Sequence, residues 1–97
     1  MPYVIKQTEE FRAWHKGLRD LKAHIAIARR LERAADGNLG DVKSVGEGVS
    51  EMRIDVGAGY RAYFTVRDNT LIVLLCGGDK KTQKRDIKHA ANLAKEV

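Results

Sequence analysis

Met52, Ile54 and Val56 alternate with Glu51, Arg53 and Asp55, the period-two pattern of a strand with one buried and one wet face. Gly57-Ala58-Gly59 interrupts it. Glycines supply the positive φ angles that a three-residue hairpin loop requires, so Val56 and Tyr60 are expected to face each other across the turn. That turn predicts a register, with Asp55 opposite Arg61, Arg53 opposite Tyr63 and Glu51 opposite Thr65 on one face, and Ile54 opposite Ala62 and Met52 opposite Phe64 on the other. A slip of one residue would set polar against apolar along the whole hairpin. Asp68-Asn69 marks a second tight turn, and Leu71 to Cys76 then runs apolar without alternation, as expected of a central strand covered on both faces.

The N-terminal third changes period. After a brief strand at Tyr3-Val4-Ile5, Thr8 offers an N-cap oxygen to a helix whose first turn carries Glu9 and Glu10, and Phe11, Trp14, Leu18 and Leu21 recur at helical spacing. Gly17 weakens the middle of this stretch and Asp20 is suited to cap a second helix, which predicts an αα-hairpin. Along the second helix Ile25, Ala28, Leu31 and Ala35 form the expected core stripe, with Arg29, Arg30, Glu32 and Arg33 toward water and Gly37 as the stop. Asp41 to Val45 reads as a short strand or extended segment. At the other end Asp79 or Thr82 caps a last helix whose stripe, Ile87, Ala90, Ala91, Ala94 and Val97, is mostly alanine, so it buries little area and is expected to be the least stable element. The order β-α-α-β-β-β-β-α is an α+β plan.

Composition narrows the setting. Ninety-seven residues at 43% apolar suffice for one modest core, and without repeats or linker-like segments residues 1–97 read as a single domain. No signal-peptide pattern and no apolar run of about 18 residues is present, and Cys76, alone in its strand, has no disulfide partner, so a reducing cytoplasm with no membrane association is expected. Eighteen Lys and Arg against 13 Asp and Glu give a formal charge of +5, which favours an anionic partner, nucleic acid or acidic protein. No His, Cys and carboxylate set has metal-ligand spacing, and Gly77-Gly78 lacks the spacing and ending of a phosphate-binding loop. Neither metal nor cofactor is expected.

Several short motifs occur in a telling order: Asp41-Val-Lys43, Gly46-Glu-Gly48, Glu51-Met-Arg53-Ile-Asp55, Gly59-Tyr60-Arg61-Ala-Tyr63-Phe64, and Leu74-Leu-Cys-Gly-Gly-Asp79-Lys80-Lys-Thr82-Gln83 through Asp86-Ile87. In this order and spacing, over nearly the whole chain, the sequence resembles the RelE/ParE toxin superfamily, and within it the HigB-like addiction module killer proteins. The resemblance implies a RelE-like domain acting as the toxin of a type II toxin-antitoxin pair. It further implies a metal-independent mRNA interferase, an endoribonuclease that cuts messenger RNA on the ribosome and arrests translation. The implied partners are mRNA, the ribosome and a cognate antitoxin, often of helix-turn-helix type, with which the toxin forms a hetero-oligomer. Two alternatives stay open: a ParE-like poison of DNA gyrase, and a non-toxic antitoxin-binding relative.

Such cleavage needs a group that accepts a ribose 2′-hydroxyl proton, cations for the growing charge on the phosphate, and a donor for the leaving 5′-oxygen. Arg61 and Arg53, placed on one face by the expected register, suit the phosphate, because a guanidinium fork matches its oxygens. Tyr63 beside them suits base stacking or proton transfer and reads equally as packing under the last helix, and Lys80 completes the expected catalytic set. Lys43, Arg67, Lys81 and Lys84 are the expected nucleic-acid contacts, the last two at a helix start that itself attracts anions. By resemblance Arg61 is the best-matched residue. His15, His24 and His89 all fall on helices, away from where histidine-dependent relatives place theirs. The same arginines also read as plain cross-strand ion pairs, Arg61 with Asp55 and Arg53 near Glu51, worth about 0.2–1 kcal/mol each. Tyr60, Phe64 and Trp14 are expected in the core, and Cys76 is too apolar in setting to be a nucleophile. An acidic antitoxin segment is expected to cover the Arg53/Arg61 face or to displace the last helix.

Overall fold

The computed structural model describes residues 2–97 and carries the elements β1 (Val4–Gln7), α1 (Glu9–Lys16), α2 (Leu21–Ala35), β2 (Val42–Gly46), β3 (Val49–Ile54), β4 (Tyr60–Arg67), β5 (Leu71–Gly78), a 3-10 turn (Lys80–Thr82) and α3 (Gln83–Ala94). The expected element order and α+β class are both present. Thr8 accepts from the Phe11 amide and Asp20 from the Ala23 amide, so the two N-caps read from the sequence start α1 and α2.

The strands form one sheet in the order β1-β5-β4-β3-β2. Only β1 runs parallel to its neighbour, with Val4 beside Leu71; the rest is antiparallel. The central strand is therefore β4. β5 is second from the edge, although covered on both faces as expected, and a bulge opposite Tyr63 and Phe64 turns Val73, Leu75 and Cys76 to one side while Ile72 and Leu74 go to the other.

Helices α1 and α2 pack on one face, where Phe11, Ile27, Leu31, Met52, Ile54, Phe64, Ile72 and Leu74 are buried together. The stripe of α2 differs from expectation. Ala23, Ile27, Leu31 and Ala34 face the sheet, whereas Ile25 is 42% exposed. Both stripes have helical spacing and share Leu31; the docking direction of the helix, not its period, chose between them. On the opposite face α3 lays Ala90 and Ala94 over Tyr63, Val49, Leu75 and Cys76, with Ala91 also buried, while Val97 lies beyond the helix, 49% exposed.

Two close approaches set the C-terminal end of β5. A Cβ on Gly77 would lie 2.2 Å from the Trp14 ring, and one on Gly78 would overlap the Asp86 carboxylate. The glycine pair thus lets α1 press on one side and α3 on the other at the same point of the strand.

Candidate active site

The β3–β4 hairpin decides which side chains meet, and its register differs from the expected one by two residues. Arg53 lies directly opposite Arg61, Glu51 opposite Tyr63, Met52 opposite Ala62 and Ile54 opposite Tyr60. The loop has five residues, 55–59, because Asp55 and Val56 leave the ladder: the Val56 amide bonds the Ile54 carbonyl, and the Gly59 amide closes a turn on the Val56 carbonyl. A shift of two preserves the face of every side chain. Arg53, Arg61, Glu51 and Tyr63 still share one surface, but their partners change.

Arg53 bonds Asp41 at 3.1 Å, and Arg61 lies 3.7 Å from Glu51, replacing the expected pairs of Arg53 with Glu51 and Arg61 with Asp55. Arg53 and Arg61 line one cavity of about 200 Å³ with Lys80, Asp41 and Asp55. Lys80 arrives from the 3-10 turn, where Asp79 accepts from the Lys81 and Thr82 amides and Thr82 accepts from the Asp79 amide, a capping box. Its stem crosses the hairpin at Gly59, where a Cβ would stand 2.9 Å from three stem carbons, so Gly59 is what allows the lysine to lie over the loop.

The other expected residues are placed differently. Tyr63 is fully buried beneath α3, so its ring is not a surface on which a base can stack. Its hydroxyl donates to Glu51 at 3.4 Å, and burial, followed by the nearby Glu51 charge, pushes the phenol well above its usual range, which fixes it as a proton holder. Lys43 is exposed on β2 opposite Glu51, on the same sheet face but outside the cavity wall. Lys81 and Lys84 are exposed beside Lys80 on the turn and the first part of α3. Arg67 is remote. It sits six residues along β4 from Arg61, about 20 Å away at strand rise, and donates to the carbonyls of Ala94 at 2.6 Å and Val97 at 3.2 Å, capping the C-terminal end of α3.

No histidine lines the cavity. His15 and His24 stack at 4.3 Å and each bonds the other's backbone carbonyl, joining α1 to α2, while His89 on α3 pairs with Glu10 on α1 at 2.7 Å. Cys76 is buried, and desolvation raises its thiol to about 12, consistent with packing and not with nucleophilic attack. Among the described residues no group of three or more His, Cys, Asp and Glu side chains gathers as a metal site would require.

Two features escaped sequence reasoning. Glu51 is 1% exposed and accepts from Gln83 of α3 at 2.7 Å, a contact between residues 32 apart that only the docking of α3 creates. Asp55, expected to pair with Arg61, instead stands on the cavity wall without an ion pair among the described residues. The alternating strand already marked both as charged positions on either side of Arg53; nothing local marked one as covered and the other as open.

Residues 9–96 match the family model described as phage derived protein Gp49-like (DUF891). An uncharacterized protein of Haemophilus influenzae is 47% identical over 97 residues, spanning 100% of this chain and 98% of that one. Among solved structures, a mutant of the Escherichia coli toxin RelE in the free state superposes with a TM-score of 0.75 at 15% identity, covering 100% of this chain and 99% of that one. The toxin-antitoxin complex RelBE2 from Mycobacterium tuberculosis contains a chain that matches with a TM-score of 0.65 at 20% identity, covering 82% of this chain and 100% of that one.

Proposed function

Since the chain belongs to the Gp49-like family and has the RelE fold, we propose that it is the toxin of a type II toxin-antitoxin pair and cleaves messenger RNA on the ribosome. The observation that carries the reading is the direct opposition of Arg53 and Arg61, which open with Lys80 into one cavity at the hairpin end of the sheet. Three cations around one small space suit a phosphodiester whose charge grows as the 2′-oxygen attacks, and Asp41, bonded to Arg53, and Glu51, 3.7 Å from Arg61, orient two of them in the folded state. Asp55 is the carboxylate on the wall that is free to accept the 2′-hydroxyl proton, while Lys80 is the cation placed to stabilise or protonate the leaving 5′-oxygen. Lys43, Lys81 and Lys84 extend the same cationic side and serve the RNA backbone. Arg67, anchored to α3 at the far end of the sheet, serves the fold in this scheme.

The cognate antitoxin, of helix-turn-helix type in the HigB-like group that the motifs resemble, would neutralise this cluster with an acidic segment, and the pair would act in the cytoplasm. No helix of the described residues is long and apolar enough to cross a membrane. The test is a reconstituted translation reaction on programmed ribosomes. Wild-type protein is expected to cut the message and Arg61→Ala to lower the rate by about 10²-fold or more, the scale of losing one transition-state donor. An intact message together with inhibited DNA gyrase would move the chain to the ParE-like class.

A further inference from the structure

Arg61 is 8% exposed, and its Nε is buried without a hydrogen bond. Glu51 Oε1 lies 3.7 Å from it, and Nη1 reaches the Tyr60 carbonyl at 3.5 Å. Glu51 is itself more deeply buried, at 1% exposed, and its second oxygen is occupied: Oε2 accepts from Gln83 Nε2 at 2.7 Å and from the Tyr63 hydroxyl at 3.4 Å. Two donors thus hold one oxygen of the carboxylate and leave the other turned toward the arginine. A buried carboxylate in a sheet is costly unless donors surround it. Here the donors come from two elements, Tyr63 and Arg61 on β4 and Gln83 at the first turn of α3.

We propose that Glu51 is a positioning residue: it grips the Nε side of Arg61 from beneath, leaves the Nη groups for the cavity, and is itself set by Gln83, so that the seating of α3 fixes the direction of the guanidinium. The inference rests on the ribonuclease reading only for its consequence in catalysis. Closing the Arg61–Glu51 separation by about 0.8 Å, a small side-chain adjustment within the folded protein, gives an ordinary N–H···O bond. Glu51 reaches neither the cavity wall nor solvent, so it acts through Arg61 and not on RNA.

Two readouts test this, one independent of activity. In ¹⁵N spectra of the folded protein the Arg61 Nε–H is expected as a resolved, slowly exchanging signal, lost in Glu51→Gln while the backbone amide spectrum is otherwise kept. In the ribosome reaction Glu51→Gln is expected to slow cleavage at saturating protein by about 10–100-fold, with half-saturation unchanged, the scale of misplacing a catalytic group by about 1 Å. In an Arg61→Lys background, where the fork is gone, the same change should cost less than about threefold. Gln83→Leu keeps the acid but removes its shortest bond, and should broaden the Nε–H signal and cost about 3–10-fold; it decides the question if Glu51→Gln does not fold. An Nε–H signal that exchanges freely in the wild type, survives Glu51→Gln, or is untouched by Gln83→Leu would overturn the proposal. So would an equal loss of rate in both arginine backgrounds. A wild-type protein that cuts no message but loses the Nε–H signal on substitution would uphold the positioning and remove the ribonuclease reading alone.

Discussion

The two faces of the sheet are built on different terms. Against α1 and α2 the sheet meets Phe11, Ile27 and Leu31, and Glu51, Arg53 and Arg61 lie on the opposite face of the hairpin. Against α3 the helix contributes alanines, and the sheet carries Glu51, Tyr63, Thr65 and Cys76 with Asp86 arriving from the helix. One face is bulk apolar packing, which is insensitive to charge; the other is thin, polar and networked, and the candidate active site opens at its end. Stability thus comes mainly from one side, and the other can hold groups that a larger apolar core would exclude.

Breaking the apolar face should have the largest effect. Phe64→Ala empties the centre of the first core and is expected to cost about 3–5 kcal/mol in denaturant unfolding. A loss below about 1 kcal/mol would erase the contrast between the faces.

The polar face should instead respond to pH. Below pH 9.0 the Cys76 thiol holds its proton in both states; above it the unfolded chain releases that proton while the folded one keeps it up to about 12, so the stability from this group is complete below pH 9.0 and falls as pH rises toward 12. The slope is about 1.4 kcal/mol per pH unit, and Tyr63, raised from 10.0, steepens it above that value. Thermal midpoints between pH 8 and 10.5 should fall for the wild type and fall less for Cys76→Ala. An unchanged profile would mean that α3 does not seal this face.

Smaller effects sharpen the picture of α3. Ala90→Gly should cost about 1 kcal/mol from backbone entropy and lost contact, and Arg67→Met, which removes the cap on the Ala94 and Val97 carbonyls, about 0.5–1.5 kcal/mol. Hydrogen exchange should show the loss from Arg67→Met confined to the last turn of α3. The Glu10–His89 pair is half exposed, and His89→Gln should cost no more than about 1 kcal/mol and vanish at high salt.

Much of this was legible in the sequence where the signal is local. The caps at Thr8 and Asp20, the alternation from Glu51 to Val56 and the apolar run of β5 each name their own structure. The parity of the hairpin survived an error in its register, because a longer loop moved the pairing by two and left Arg53 and Arg61 on one face. What was hidden depended on elements distant in the chain. Alternation labels Glu51 as outward, yet α3, more than 30 residues later, turns that outward face into an interior and decides that Tyr63 packs there. Ile25 and Ile27 both have helical spacing, and only the docking of α2 says which is covered. Arg67 reads as one more cation until the end of α3 is laid against it.

The account turns on whether the cavity beneath Lys80 is where a message is cut, and mapping of RNA 5′ ends across translated messages, in cells expressing the wild type or Arg61→Ala at equal folded abundance, tests this most directly. The account predicts discrete new ends within coding regions for the wild type and their disappearance with Arg61→Ala. Growth arrest with intact messages, or cuts that persist unchanged without the Arg61 guanidinium, would contradict it.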